Sequence, residues 1–232
     1  MTNKIALLGA MPEEVSKLVE NMSVSKEHQW NDFTIYEGTL ENKKVIVAKS
    51  GVGKVMAALF TQYLVDKFSI SQIIFTGLAG ALADDLNIGD ILIANDLVQH
   101  DMDVTNLGFK LGQIPYTDIR FIECDKVLLK TATTYSSDKH QVRVGRILTG
   151  DTFVTHEQQV LLKHRFQELQ GDAVEMEGAA VALVAHLNKI PCIIIRTISD
   201  KADGSALINF NDFLPVASEN SYKIISHILN KI

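Results

Sequence analysis

Apolar runs of four to eight residues alternate with stretches of helical periodicity from one end of this chain to the other, and that alternation leaves few folds open. The strand-like runs cover residues 5–8, 33–36, 45–48, 73–76, 91–98, 142–148 and 192–198. Helical patterns cover 12–21, the stretch "VMAALFTQYLVDKF", 156–169, 178–188 and 212–230. Runs such as "CIII" are apolar at consecutive positions, as a strand buried on both faces requires. The expected fold is therefore α/β: one domain over residues 1–232, a three-layer sandwich whose central mixed, twisted sheet is flanked by helices. No repeat, low-complexity tract or Pro/Gly/Ser-rich linker interrupts the pattern, and 101–122 reads as one long loop.

Charge and motif narrow the function classes. A net charge of −6, with Lys and Arg dispersed and no basic stripe interleaved with aromatics, argues against a nucleic-acid partner. No apolar run approaches the ~18 residues that span a bilayer, and the N-terminus turns charged too early for a secretory signal. Cys124 and Cys192 stand far apart and form no C-x-x-C pair, which fits a reducing cytoplasm. The expectation is a cytoplasmic protein without a membrane partner. "SGVGKV" looks like a phosphate loop, yet Ala48 stands where that motif needs Gly and Val55 where it needs Ser or Thr. "HDMD" at 100–103 is a weak metal signal, since an extended backbone puts His100 and Asp101 on opposite faces. Neither a metal nor a cofactor is expected.

The chemistry concentrates where strands end. "VEMEGAAVALVA" (174–185) sets Glu175 and Glu177 around Met176 and then enters an apolar segment, with Val181, Val184 and Leu187 roughly on one side of a helix. Acids at a helix start complement the macrodipole, which is one explanation. The other is a site: in an extended "GDAVEMEG", Ala173, Glu175 and Glu177 share a face, and "IPCIIIRTISD" likewise ends in polar Arg196, Ser199 and Asp200. Open α/β sheets bind ligands at such strand ends. "LLGAMPEEV", "TGLAG" and "LTGDTFV" repeat the design of glycines and acids after strands. Taken singly, each is open to a local reading: Glu14 as a first-turn acid behind a helix-starting Pro12, Phe153 as a core aromatic.

In this order and over essentially the whole chain, these motifs resemble the methylthioadenosine and S-adenosylhomocysteine nucleosidases of the purine nucleoside phosphorylase superfamily. The resemblance implies a nucleoside phosphorylase-like fold and hydrolysis of an N-glycosidic bond, releasing adenine and a 5-thioribose. It also assigns roles. Glu14 activates water, with Arg196 nearby, and Asp200 protonates adenine N7 with Ser199 orienting it. Met176 packs on the ribose and Glu177 accepts hydrogen bonds from its hydroxyls. Phe153 stacks on the purine, the main chain of Val154 reads its edge, and Phe210 adds a wall. Met11 and Val52 line the ribose and alkylthio side. Leu107 and Pro115 reach the site from the second subunit of a homodimer.

Three positions depart from the pattern. Leu78 replaces a frequent serine, Leu107 a frequent aromatic, and Gly178 a frequent alanine. The first two bear on substrate breadth, including 5′-deoxyadenosine and aminodeoxyfutalosine. Two rival readings exist: a phosphorylase of the same superfamily, and a nucleoside sensor on the same fold. The first would need phosphate donors where Glu14 and Leu78 stand, and a carboxylate there would repel the anion. The second would not require both Glu14 and Asp200.

Overall fold

The computed structural model describes residues 3–201 and 206–232, with the side chains of all of these except 156 and 206–212. In chain order the elements are β1 (Lys4–Gly9), α1 (Pro12–Asn21), β2 (Ser23–Trp30), β3 (Phe33–Leu40), β4 (Lys43–Lys49), α2 (Lys54–Lys67), β5 (Ile70–Ala81), β6 (Ile91–Gln99), a 3-10 turn (Thr105–Leu107), β7 (Ile122–Glu123), α3 (Lys126–Ala132), β8 (Val142–Thr149), α4 (His156–Leu169), β9 (Ala173–Glu175), α5 (Gly178–Leu187), β10 (Cys192–Asp200) and α6 (Ala206–Leu229).

Period-two alternation within consecutive apolar residues builds the layers. In β1, Ala6 and Leu8 face the layer holding Phe60 of α2 and Ala182 of α5, while Ile5 and Leu7 face Leu18 of α1, Leu128 of α3 and Ile225 of α6. Val45 and Val47 against Ile46 and Ala48 in β4, and Ile193 and Ile195 against Ile194 in β10, split the same way. The sheet is thus buried on both faces and the three-layer α/β expectation is met, with a smaller cluster of Val98, Leu148, Phe166 and Leu169 under α4.

Within the sheet, β1 lies parallel between β4 and β5, and β5 also pairs in parallel with β10. Beyond β10 the direction reverses at β6, with β8 and β9 parallel to it, and β9 returns to pair antiparallel with the far end of β5. Five strands therefore close a ring, and the carboxyl ends of β1, β4, β5 and β10 share one edge.

Some elements differ from the sequence expectation. β2 is mostly exposed and polar, so no apolar run marks it. It is joined to β3, and β3 to β4, by two-residue turns in which Asn31, Glu41 and Asn42 take positive φ. β5 runs on through "TGLAG" rather than ending at 76. α6 starts before 212 and carries Pro215 in its interior. In α5 the buried face is Ala179, Ala180, Ala182 and Ala185 with Val181, whereas Leu187 is 65% exposed. Small residues set close packing there, not the stripe of larger ones. Among the described residues no helix is long and apolar enough to cross a membrane.

Helix α3, absent from the sequence expectation, is capped by Asp125, whose carboxylate accepts from the backbone amides of Val127 (3.0 Å) and Leu128 (2.9 Å). Asp125→Ala is expected to lower stability by about 1 kcal/mol in denaturant unfolding. An unchanged midpoint would contradict the capping role.

Candidate active site

A cleft partly open to solvent lies at this shared edge. Turns after β1, β4 and β8, the ends of β5 and β10, and the β9–α5 junction form its walls. Among the described lining residues four carry carboxyl groups, Glu14, Glu175, Glu177 and Asp200, and none is Lys, Arg or His.

Glu14 performs the local helix job and faces the cleft as well. At the third position of α1, one carboxylate oxygen accepts from the amides of Ala10 (2.6 Å) and Met11 (3.0 Å), reaching back over the helix start, while the other accepts from Leu78 N–H (3.1 Å) at the end of β5. The helix-start bonds and a place in the cleft wall are thus compatible in one side chain. Burial raises its pKa, against the opposing pull of Arg196 and the three amides.

Arg196, 1% exposed, lies beneath the acids and stacks on the Phe75 ring at 4.4 Å from its centroid. Its Nε donates to Glu175 Oε2 (3.2 Å), its Nη2 donates to the same oxygen, and Glu177 Oε2 is 3.9 Å away. Gly77 pairs with Arg196 across β5 and β10. A Cβ at Gly77 would stand 2.7 Å from Glu14 Oε1 and 2.8 Å from Arg196 Nη1, so glycine lets both side-chain ends come this close to the strand.

The two acids of "EME" divide the work. Only 173–175 is extended, so the expected shared acidic face breaks after Glu175. Glu175 turns inward, accepting from Arg196, from Thr149 Oγ1 and from the amides of Glu177 (3.1 Å) and Gly178 (2.7 Å). Glu177, at the start of α5, accepts from Gly53 N–H (2.8 Å). Burial and the neighbouring Glu175 push its pKa up to about 8, with Arg196 and Gly53 pulling the other way. A Cβ at Gly178 would lie 2.8 Å from the Leu97 side chain, so the smaller residue here fits a tight contact.

Asp200, buried at the end of β10, accepts from Ser199 Oγ (2.6 Å) and pairs in register with Gly80 of β5. Met11, Val52, Leu78, Phe153, Val154 and Met176 all line the cleft, Phe153 being 43% exposed and Val154 buried. Leu107 and Pro115 do not line it, and Leu107 is 71% exposed. The side chain of Phe210 lies outside the described residues. Ala10, Ala79, Gly80, Thr152 and Val174 also line the cleft; each lies inside one of the motifs after the strands but is not among the expected site residues.

Comparison with known proteins identifies the family. The sequence profile of the phosphorylase superfamily matches residues 4–230. A 5′-methylthioadenosine/S-adenosylhomocysteine nucleosidase of Staphylococcus haemolyticus is 40% identical over 97% of this chain and 98% of its own. The nucleosidase of the same name from Neisseria meningitidis, solved in complex with methylthio-immucillin-A, superposes with a TM-score of 0.92 at 36% identity, covering 99% of this chain and 100% of that one. Futalosine hydrolase of Helicobacter pylori superposes at 0.91 with 36% identity over 100% and 99%.

The raised carboxylates make stability pH-dependent. A folded pKa above the unfolded value means that the native state binds more protons, so stability present below about pH 4.5 is lost as pH rises toward 8. Between pH 5 and pH 8 the melting temperature of Glu177→Gln should rise relative to that of the wild type, because the variant lacks this titration. Equal slopes for the two proteins would contradict the assignment.

Proposed function

Since the chain belongs to the phosphorylase superfamily and, within it, to the 5′-methylthioadenosine/S-adenosylhomocysteine nucleosidases, we propose that it hydrolyses the N-glycosidic bond of those two nucleosides, with Glu14 and Asp200 as its catalytic pair. The observation that carries the assignment of residues is the meeting of Glu14, Glu177 and Asp200 in one acid-lined cleft.

The chemistry follows from what each group can do. Water adds to the anomeric carbon as the bond to adenine N9 breaks, and adenine leaves once N7 is protonated. Glu14, buried and of raised proton affinity, accepts the proton of the attacking water, while Asp200, oriented by Ser199, donates to N7. Glu177 accepts from the ribose hydroxyls, and in its ionised form it stabilises, with the acids around it, positive charge developing on the sugar. Phe153 is exposed enough to lie against a purine face, and the main chain at Val154 reads the purine edge. Met176, Met11 and Val52 pack on the ribose and the 5′ substituent. An acid-lined cleft with no cation among its described lining residues favours water over phosphate as the nucleophile.

Substrate breadth extends in the same direction. The likeness to futalosine hydrolase supports acceptance of aminodeoxyfutalosine or 5′-deoxyadenosine, with apolar Leu78 beside Glu14 and no polar group from that side chain. We further propose a homodimer in which Leu107 and Pro115 cover the partner's 5′ subsite. Val55 and Leu59, on one face of α2 just beyond pocket-lining Val52, are 75% and 53% exposed and would gain cover in it.

Glu14→Gln and Asp200→Asn should each lower the turnover of methylthioadenosine at least ~100-fold while still binding it. Near wild-type turnover in either would remove that residue from the mechanism, and a wild type that binds without releasing adenine would support a sensor. For assembly, sedimentation is expected to give a dimer, and Leu107→Asp a monomer with raised KM. A fully active monomer would overturn the shared site.

A further inference from the structure

Lys54 occupies the place of a phosphate-loop lysine in "SGVGK", yet its charge is directed inward. Its ammonium donates to Asp101 Oδ1 (2.6 Å) and stands 3.8 Å from Asp151 Oδ2. Its backbone N–H donates to Asp151 Oδ1 (2.8 Å), and Asp151 N–H donates in turn to Asp101 Oδ2 (3.0 Å). Three segments meet at this one side chain: the turn after β4, the turn after β8, and the start of the long loop after β6. Gly53, one residue before Lys54, donates to Glu177, and Phe153 and Val154 follow two and three residues after Asp151.

The pairing is shielded enough to matter. The Lys54 side chain is 16% exposed and that of Asp101 27%, so solvent screens the pair less than an open surface bridge. Although burial opposes it, the hydrogen bonds from Lys54 and the Asp151 amide hold Asp101 below the usual carboxylate range. Gly53 takes φ +90°, and a Cβ there would stand 3.2 Å from Asp151 Oδ1, so the turn is shaped to bring the two loops together.

We infer that Lys54 is a positioning residue that clamps the ribose-side turn at 51–54 to the purine-side turn at 151–154, so that both halves of a nucleoside meet a preset spacing. The inference rests on the nucleosidase reading for the identity of the two halves, but the clamp itself does not depend on catalysis. Removing the charge should cost a two-part ligand its preset geometry, while a one-part ligand needs only one of the turns.

The test compares Lys54→Met and Lys54→Arg with wild type, using methylthioadenosine as substrate and free adenine as competitive inhibitor. Lys54→Met should raise KM about tenfold and shift the adenine inhibition constant less than about twofold, with Lys54→Arg restoring most of the loss. Amide hydrogen exchange, which needs no turnover, should quicken at 51–54 and 151–154 together in Lys54→Met. The double variant Asp101→Asn with Lys54→Met, which relieves the facing carboxylates, should show the same coupled change and guards against a simple folding defect. Unchanged exchange at the two turns, or equal losses for adenine and nucleoside, would overturn the clamp. A wild type that releases no adenine would instead sink the nucleosidase reading, leaving hydrogen exchange to decide the clamp.

Discussion

One buried guanidinium underlies the chemistry of this protein. Arg196, 1% exposed near the end of β10, is the cation against which Glu175, Glu14 and Glu177 are gathered. Burial works against its charge, but the three acids more than compensate and raise its proton affinity. Taking ionised groups out of water is costly unless they are paired and hydrogen-bonded, and Glu175 meets both conditions through Arg196, Thr149 and two backbone amides. With Glu175 as counter-ion, Glu14 and Glu177 remain in the cleft with raised pKa values set mainly by desolvation.

The fold makes that arrangement possible by register. Arg196 faces Gly77 across β5 and β10, and Asp200 faces Gly80 three rungs on. Two glycines in one strand thus sit opposite the two functional groups of its neighbour, and the first clears room for both Glu14 and Arg196. The ring closed by β9 then carries Glu175 and Glu177 to the same edge from strands that run the other way. Local helix chemistry and site chemistry share residues, since Glu14 reaches back over the start of α1 and Glu177 begins α5.

Much of this was legible in the sequence. Consecutive apolar residues in β1, β4 and β10 announced a sheet buried on both faces, and the motifs after the strands located Glu14, Phe153, Met176, Glu177 and Asp200, all of which line one cleft. What stayed hidden has physical reasons. β2 pairs through its backbone and leaves polar side chains exposed, so composition carries no trace of it. α5 buries alanines rather than a large apolar stripe. Glu175 and Glu177 are indistinguishable by residue type, and only the end of the extended segment after Glu175 turns one inward to Arg196 and leaves the other at the helix start.

The central claim is that a carboxylate cluster organised by Arg196 uses water, not phosphate, to break a nucleoside. The most direct measurement is mass spectrometry of the sugar product formed from methylthioadenosine in phosphate buffer. The account predicts free 5-methylthioribose alongside adenine, in amounts independent of the phosphate concentration. A sugar 1-phosphate, formed in proportion to phosphate, would contradict it.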